Sequence, residues 1–175
     1  MKTVLEQLTS YAAYHRDRRN IATHLVGVPM IVQAVVILLA RPAVEIAGIA
    51  ITPAMIALAA AGIYYLMLDL RLGLMLTAII GVMAWAGGLV AAQPTATWLG
   101  AGVGLFVVGW IIQFVGHYYE GKKPAFVDDI IGLLIGPLFV LAEVVFACGL
   151  RLELKRAIES RVGPTVIRTA SGSAA

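Results

Sequence analysis

Cysteine is almost missing from this chain: Cys148 is the only one, and it sits in an apolar stretch. A single thiol builds no disulfide framework and reports nothing of the redox compartment, so Cys148 reads as a small buried hydrophobe. Charge is scarce too. Asp, Glu, Lys and Arg make up 13% of the 175 residues against 61% hydrophobic ones, and mean hydropathy is +0.91, which excludes an ordinary soluble globular domain. The small basic excess, +3, comes from Lys and Arg near the ends of apolar runs. Such charges set membrane topology and leave nucleic acid an unexpected partner. The N-terminus, MKTVLEQLTSYAAYHRDRRN, lacks a basic region followed by an apolar one. No cleaved signal peptide is expected, and the mature chain is expected to begin at Met1. No internal repeat is evident.

What the sequence has in quantity is long apolar runs, and these predict an all-α, polytopic membrane helical bundle. Val4, Leu5, Leu8, Tyr11, Ala12 and His15 recur at helical spacing, predicting an N-terminal amphipathic helix at the interface. Spans follow at Asn20 to Arg41, Pro53 to Leu68, Leu72 to Ala92 and Trp98 to Gly116. A fifth apolar segment, Ile130 to Leu150, is interrupted by Gly136-Pro137 and carries Glu143. The bundle thus has four or five spans, the last one a candidate for re-entry. Residues 1–160 are expected to form a single membrane-embedded domain, and 161–175 a disordered tail.

The basic residues orient the spans. Arg16, Arg18 and Arg19 precede the first span, Arg71 lies in the second loop, and Lys122 and Lys123 lie in the fourth. The positive-inside rule puts all three places in the cytoplasm. His15, His24 and His117, the only histidines, then share one membrane face. An imidazole within a span costs solvation energy unless it finds a partner, so His24 is a functional candidate. His117 and Glu120 fall at i, i+3 on one helical face if the fourth span runs a turn past Gly116, and both then reach one metal ion. Imidazoles with a carboxylate and open positions suit non-haem Fe(II) or Zn(II). His15 and His24 converge only if the chain bends in "HRDRRN", where Asn20 is placed to support a ligand.

Three blocks, taken in order, carry a resemblance: Tyr11, His15, Asn20, His24, Gly27 and Pro29 in "Y-x3-H-x4-N-x3-H-x2-G-x-P", then "Q-F-x-G-H-x2-E-x3-P-A-F" from Gln113 to Phe126, then "G-P-L-F-V-x2-E" from Gly136 to Glu143. The chain resembles the small membrane proteins related to the fungal dioxygenase that metabolises phytosphingosine to odd-numbered fatty acids. That resemblance implies an Fe(II)-dependent dioxygenase acting on 2-hydroxy long-chain fatty acids, with His15, His24 and His117 as metal ligands. Glu120 joins them as a further ligand or as a base. A 2-hydroxy acid can chelate iron through its hydroxyl and carboxylate and leave a position for O2. Release of the carboxyl carbon as CO2, with water and an acid one carbon shorter, balances with one O2 and needs no separate reductant.

Other features carry plainer readings. Lys122 and Lys123 can hold the substrate carboxylate, although topology charge is the simpler role for both. Gly100 and Gly104 form a GxxxG in the fourth span, which reads as close packing within the chain or as a homo-oligomer contact. Asp69 and Arg71 read as a loop pair, and Asp128 and Asp129 as a cap. Short loops and Ala- and Gly-rich spans suit a bacterial inner membrane, with the endoplasmic reticulum as the alternative. The competing function is a small transporter or proton relay through His24 and Glu143, which needs no stoichiometric metal.

Overall fold

The computed structural model describes residues 2–123 and 131–168, and it is almost wholly helical. In chain order the elements are α1 (Val4–Ala12), α2 (Arg18–Ala40), β1 (Val44–Ile46), β2 (Ile49–Ile51), α3 (Pro53–Leu68), α4 (Leu70–Ala91), α5 (Thr95–Glu120), α6 (Gly132–Ala147) and α7 (Leu152–Val162). Asp128 and Asp129, expected to cap, lie outside the described residues. Among the described residues three helices, α2, α4 and α5, are long and apolar enough to cross a membrane, or four spans if the bent pair α6 and α7 counts as one. The expected second span, α3, has 16 residues, about 24 Å at 1.5 Å per residue, which is short of a hydrocarbon core of about 30 Å.

The described residues form two compact units, one holding Gly27–Trp110 and the other the segments before and after it. Within the first, the loop after α2 is a β-hairpin pairing Val44 with Ile51 and Ile46 with Ile49. Ala47 and Gly48 turn it with φ of 51° and 79°, the two positive values a type I′ turn needs. Asp69 alone separates α3 from α4, and its Oδ1 accepts from the Arg71 and Leu72 backbone N–H groups at 3.1 and 3.0 Å. Asp69 therefore caps α4.

Glycines set the close approaches in this unit. A Cβ at Gly73 would lie 2.6 Å from the Tyr65 carbonyl oxygen, and one at Gly102 would lie 2.5 Å from Leu38 Cδ2. At Gly100 and Gly104, expected to mediate packing, a Cβ would meet nothing within 4 Å; the contact face of α5 passes instead through Gly102 and Gly109. Trp98 closes the end of the helix by donating its indole N–H to the Ile37 carbonyl at 2.8 Å, beneath the Arg41 guanidinium 4.7 Å from its ring.

The second unit carries the histidines. A capping box starts α1: the Glu6 N–H donates to Thr3 Oγ1 at 3.2 Å and the Thr3 N–H donates to Glu6 Oε2 at 2.7 Å. Its apolar face, with Leu8, Tyr11 and Ala12 buried, packs on α6 and α7, so protein covers a face that the sequence assigned to the membrane interface. The expected break at Gly136-Pro137 is absent, because α6 runs through both residues. Gly136 instead makes room for Tyr11, whose phenol oxygen would be 3.1 Å from a Cβ there.

The break falls at Gly149. Its φ is +77°, its N–H donates to the Phe146 carbonyl at 3.0 Å, and the Leu150 N–H reaches back to Val145 at 3.0 Å. That is a Schellman ending, after which α7 departs at 115° to α6. Cys148, just before it, is exposed rather than buried.

Residues 161–168 also depart from the expected disorder. Val166 forms a parallel bridge with Asp17, its N–H donating to the Arg16 carbonyl and its own carbonyl accepting from the Arg18 N–H, both at 2.9 Å. The backbone of this segment thus meets polar groups that the loop between α1 and α2 leaves free.

Candidate metal centre

The bend predicted in "HRDRRN" lies between Ala12, the last residue of α1, and Arg18, the first of α2. Asp17 starts α2 by accepting the Arg19 N–H at 2.9 Å and holds the Arg19 side chain through two more bonds, at 3.0 and 2.8 Å. The Arg19 hydrogen bond holds the Asp17 carboxyl well below the usual range, against the opposing effect of burial. Arg16 turns back over α1, donating through Nε to the Ala12 and His15 carbonyls at 2.8 and 3.0 Å. Burial pulls its guanidinium below the ordinary value, and the carboxylates of Glu143, Glu120 and Glu159 act the other way.

Held by this bend, His15 meets His24 of α2 and His117 of α5. The three rings each offer a nitrogen, all within 4.8 Å of one another, and the residues are 0%, 2% and 7% exposed. Burial, followed by the neighbouring His24, keeps the His15 pKa well below its ordinary value, so its imidazole is neutral and able to act as a ligand. Tyr11 stacks on His15, with ring centroids 4.2 Å apart and planes within 4°, and Phe139 lies against both rings.

Hydrogen bonding fixes two tautomers. His15 Nδ1 lies 2.7 Å from the Tyr11 carbonyl oxygen and His24 Nδ1 lies 2.9 Å from that of Asn20. Carbonyl oxygens only accept, so each Nδ1 carries the proton and each Nε2 is left with a bare lone pair. The two Nε2 atoms are 3.0 Å apart. Two lone pairs facing each other in a buried site repel unless a proton or a cation lies between them. Nitrogens each about 2.1 Å from one ion, and about 90° apart, are separated by about 3.0 Å, so the pair fits adjacent positions on one metal. His117 adds the third donor. Its Nδ1 is buried and without a hydrogen bond of standard geometry among the described residues. The Nδ1–H to carbonyl bonds are the usual outer support of metal-bound imidazole.

The remaining sequence candidates surround this cluster. Glu120, expected as a ligand, is not one of the three grouped donors. Its Oε2 accepts from the Arg16 and Asp17 N–H groups at 2.9 and 2.7 Å and from Asn20 Nδ2 at 3.2 Å, while Oε1 pairs with Arg168 Nη2 at 2.9 Å. A carboxylate so engaged anchors the bend that carries His15. Asn20 does support His24, but through its backbone carbonyl, while its side chain binds Glu120 and the Tyr14 carbonyl. Lys122 donates to the Ala13 carbonyl at 2.9 Å, and Lys123 also has a partner. Sequence reasoning missed Arg168, Gly116 and Asp17. Gly116 is where α5 meets α2, since a Cβ there would collide with Thr23 Oγ1 and Asn20 Oδ1.

Fold and site together define an all-α membrane protein with a buried three-histidine centre. Residues 1–148 match the family described as 2-hydroxy-palmitic acid dioxygenase Mpo1-like. A relative from Saccharomyces cerevisiae, described as 2-hydroxy-palmitic acid dioxygenase MPO1, is 31% identical over 155 residues, covering 87% of this chain and 86% of the relative. The chain belongs to the Mpo1-like family. No solved structure matches it.

Proposed function

We propose that this protein is an iron-dependent membrane dioxygenase that shortens 2-hydroxy long-chain fatty acids by one carbon. The observation that carries the reading is the pair of bare Nε2 lone pairs, on His15 and His24, fixed 3.0 Å apart with His117 beside them. Family membership supports the reaction class, since the yeast relative's description names a 2-hydroxy acid as substrate.

His15, His24 and His117 would hold a ferrous ion, which would supply the redox chemistry that O2 needs. The protein's own part is positional and electrostatic. Neutral imidazoles donate without adding negative charge, so an anionic carboxylate is welcome beside them. The Tyr11 and Asn20 carbonyls prevent the rings from turning, and burial excludes bulk water from the reacting head group. Glu120 keeps His15 in place through the backbone it binds. By the charge pattern of Arg16, Arg18, Arg19, Arg71, Lys122 and Lys123, the site faces the cytoplasm, where the head of a membrane lipid can reach it while the acyl chain stays in apolar surroundings.

The test is metal content first and turnover second. Protein purified anaerobically in detergent is expected to hold about one iron per chain, lost in His24→Ala and His117→Ala. The iron-loaded protein is then expected to convert 2-hydroxypalmitate and O2 to the C15 acid and CO2. Iron binding without turnover of any 2-hydroxy acid would remove the substrate assignment. No metal after reconstitution would leave a proton relay as the better reading.

A further inference from the structure

One buried polar group in the second unit serves no role described so far. Gln113 lies on α5 one turn before His117, and Gln113, Gly116, His117 and Glu120, at i, i+3, i+4 and i+7, share one helical face. That face is turned toward α2, because Gly116 abuts Asn20 and Thr23. Gln113 is 3% exposed, yet neither Oε1 nor Nε2 has a hydrogen-bond partner among the described residues. The amides of Asn20, Gln33 and Gln93 each make at least one such bond. A side-chain amide has two donors and an acceptor oxygen, and burying it unpaired is costly because its lost bonds to water are not replaced. Four residues along a helix is about 6 Å, so this amide stands a turn deeper than the histidine cluster.

We infer that Gln113 recognises the 2-hydroxy carboxylate head of the substrate and selects it over an unhydroxylated fatty acid; the inference rests on the function proposed above. The chemistry is complementary. A 2-hydroxy acid presents an acceptor, the carboxylate oxygen, and a donor, the hydroxyl, on adjacent carbons. The two orphan functions of Gln113 match them, with Nε2–H donating to the carboxylate and Oε1 accepting from the hydroxyl. A plain fatty acid offers only the acceptor and leaves Oε1 unpaired. Sites built to pair with a hydroxyl reject the analogue lacking it far more strongly than apolar pockets do, for this reason.

The experiment compares wild type with Gln113→Met and Gln113→Leu, all loaded with redox-inert zinc in detergent, by equilibrium binding of 2-hydroxypalmitate and of palmitate. Wild type is expected to prefer the 2-hydroxy acid. Both variants are expected to bind it about 10- to 100-fold more weakly, as befits loss of hydrogen bonds to a charged ligand, and to lose most of the preference. Metal stoichiometry is expected to stay at the wild-type value, and the ligand-free melting temperature to stay level or rise, because an unpaired amide has been replaced by an apolar group. An unchanged preference, or a lower melting temperature with unchanged binding, overturns the inference and makes Gln113 a structural residue. Failure of wild type itself to bind any 2-hydroxy acid overturns the proposed function along with it, so the two failures are distinct.

Discussion

Arg168 Nη2 lies 2.9 Å from Glu120 Oε1, and the opposite oxygen of that carboxylate holds the Arg16 and Asp17 N–H groups. Three distant stretches of chain therefore meet at one buried carboxylate, which holds the backbone next to His15. Arg168→Ala removes the cation and leaves the backbone bonds of its segment in place. A loss of about 1–3 kcal/mol is expected, with partial recovery in Arg168→Lys, read by thermal unfolding in detergent. Equal stability in all three proteins would reduce the pair to a surface contact.

Glycine positions separate packing from open space on one helix. Gly116→Ala drives a methyl group into Thr23 and Asn20 and is expected to cost about 1–3 kcal/mol and to weaken metal retention by moving His117 away from His24. Gly104→Ala meets nothing and should leave monomer stability unchanged. A change in oligomeric size in Gly104→Ala, measured by light scattering in detergent, would show that this open face has a partner.

The Schellman ending at Gly149 makes a further prediction. Alanine there must adopt a φ of +77°, and Gly149→Ala is expected to cost about 1 kcal/mol, while an Asn replacement costs less. Thermal unfolding measured side by side on the two variants provides the check.

Acid should destabilise the metal-free protein, and the sign follows from His15. Its folded pKa lies below the ordinary 6.5, so the unfolded chain binds more protons in that window. Stability is then fully present above about pH 6.5 and is lost as pH falls toward the folded value. Asp17, held ionised by Arg19, adds a second loss in the same direction below its ordinary 3.8. The melting temperature is expected to be level above pH 7 and to fall on acidification, less steeply in His15→Asn.

The helices and the three histidines were legible because each announces itself locally, in unbroken apolar runs or in a costly imidazole near a span. The bend between His15 and His24 was legible as well, from the polar stretch "HRDRRN". Less so was the break near the end of the chain. Gly136-Pro137 suggested it, but α6 runs on through Pro137, its sixth residue, and ends where Gly149 takes the left-handed conformation. Glu120 read as a ligand from its spacing to His117 alone. Its actual partners, Arg16, Asp17, Asn20 and Arg168, are remote in sequence, and no periodicity encodes them.

Synthesis proceeds from the N-terminus, so Glu120 emerges from the ribosome well before Arg168 has been made. Until residue 168 arrives, the donors to that carboxylate among the described residues are the Arg16 and Asp17 N–H groups and the Asn20 amide. The carboxylate that anchors the bend therefore gains its cation only after α1 to α7 have been made.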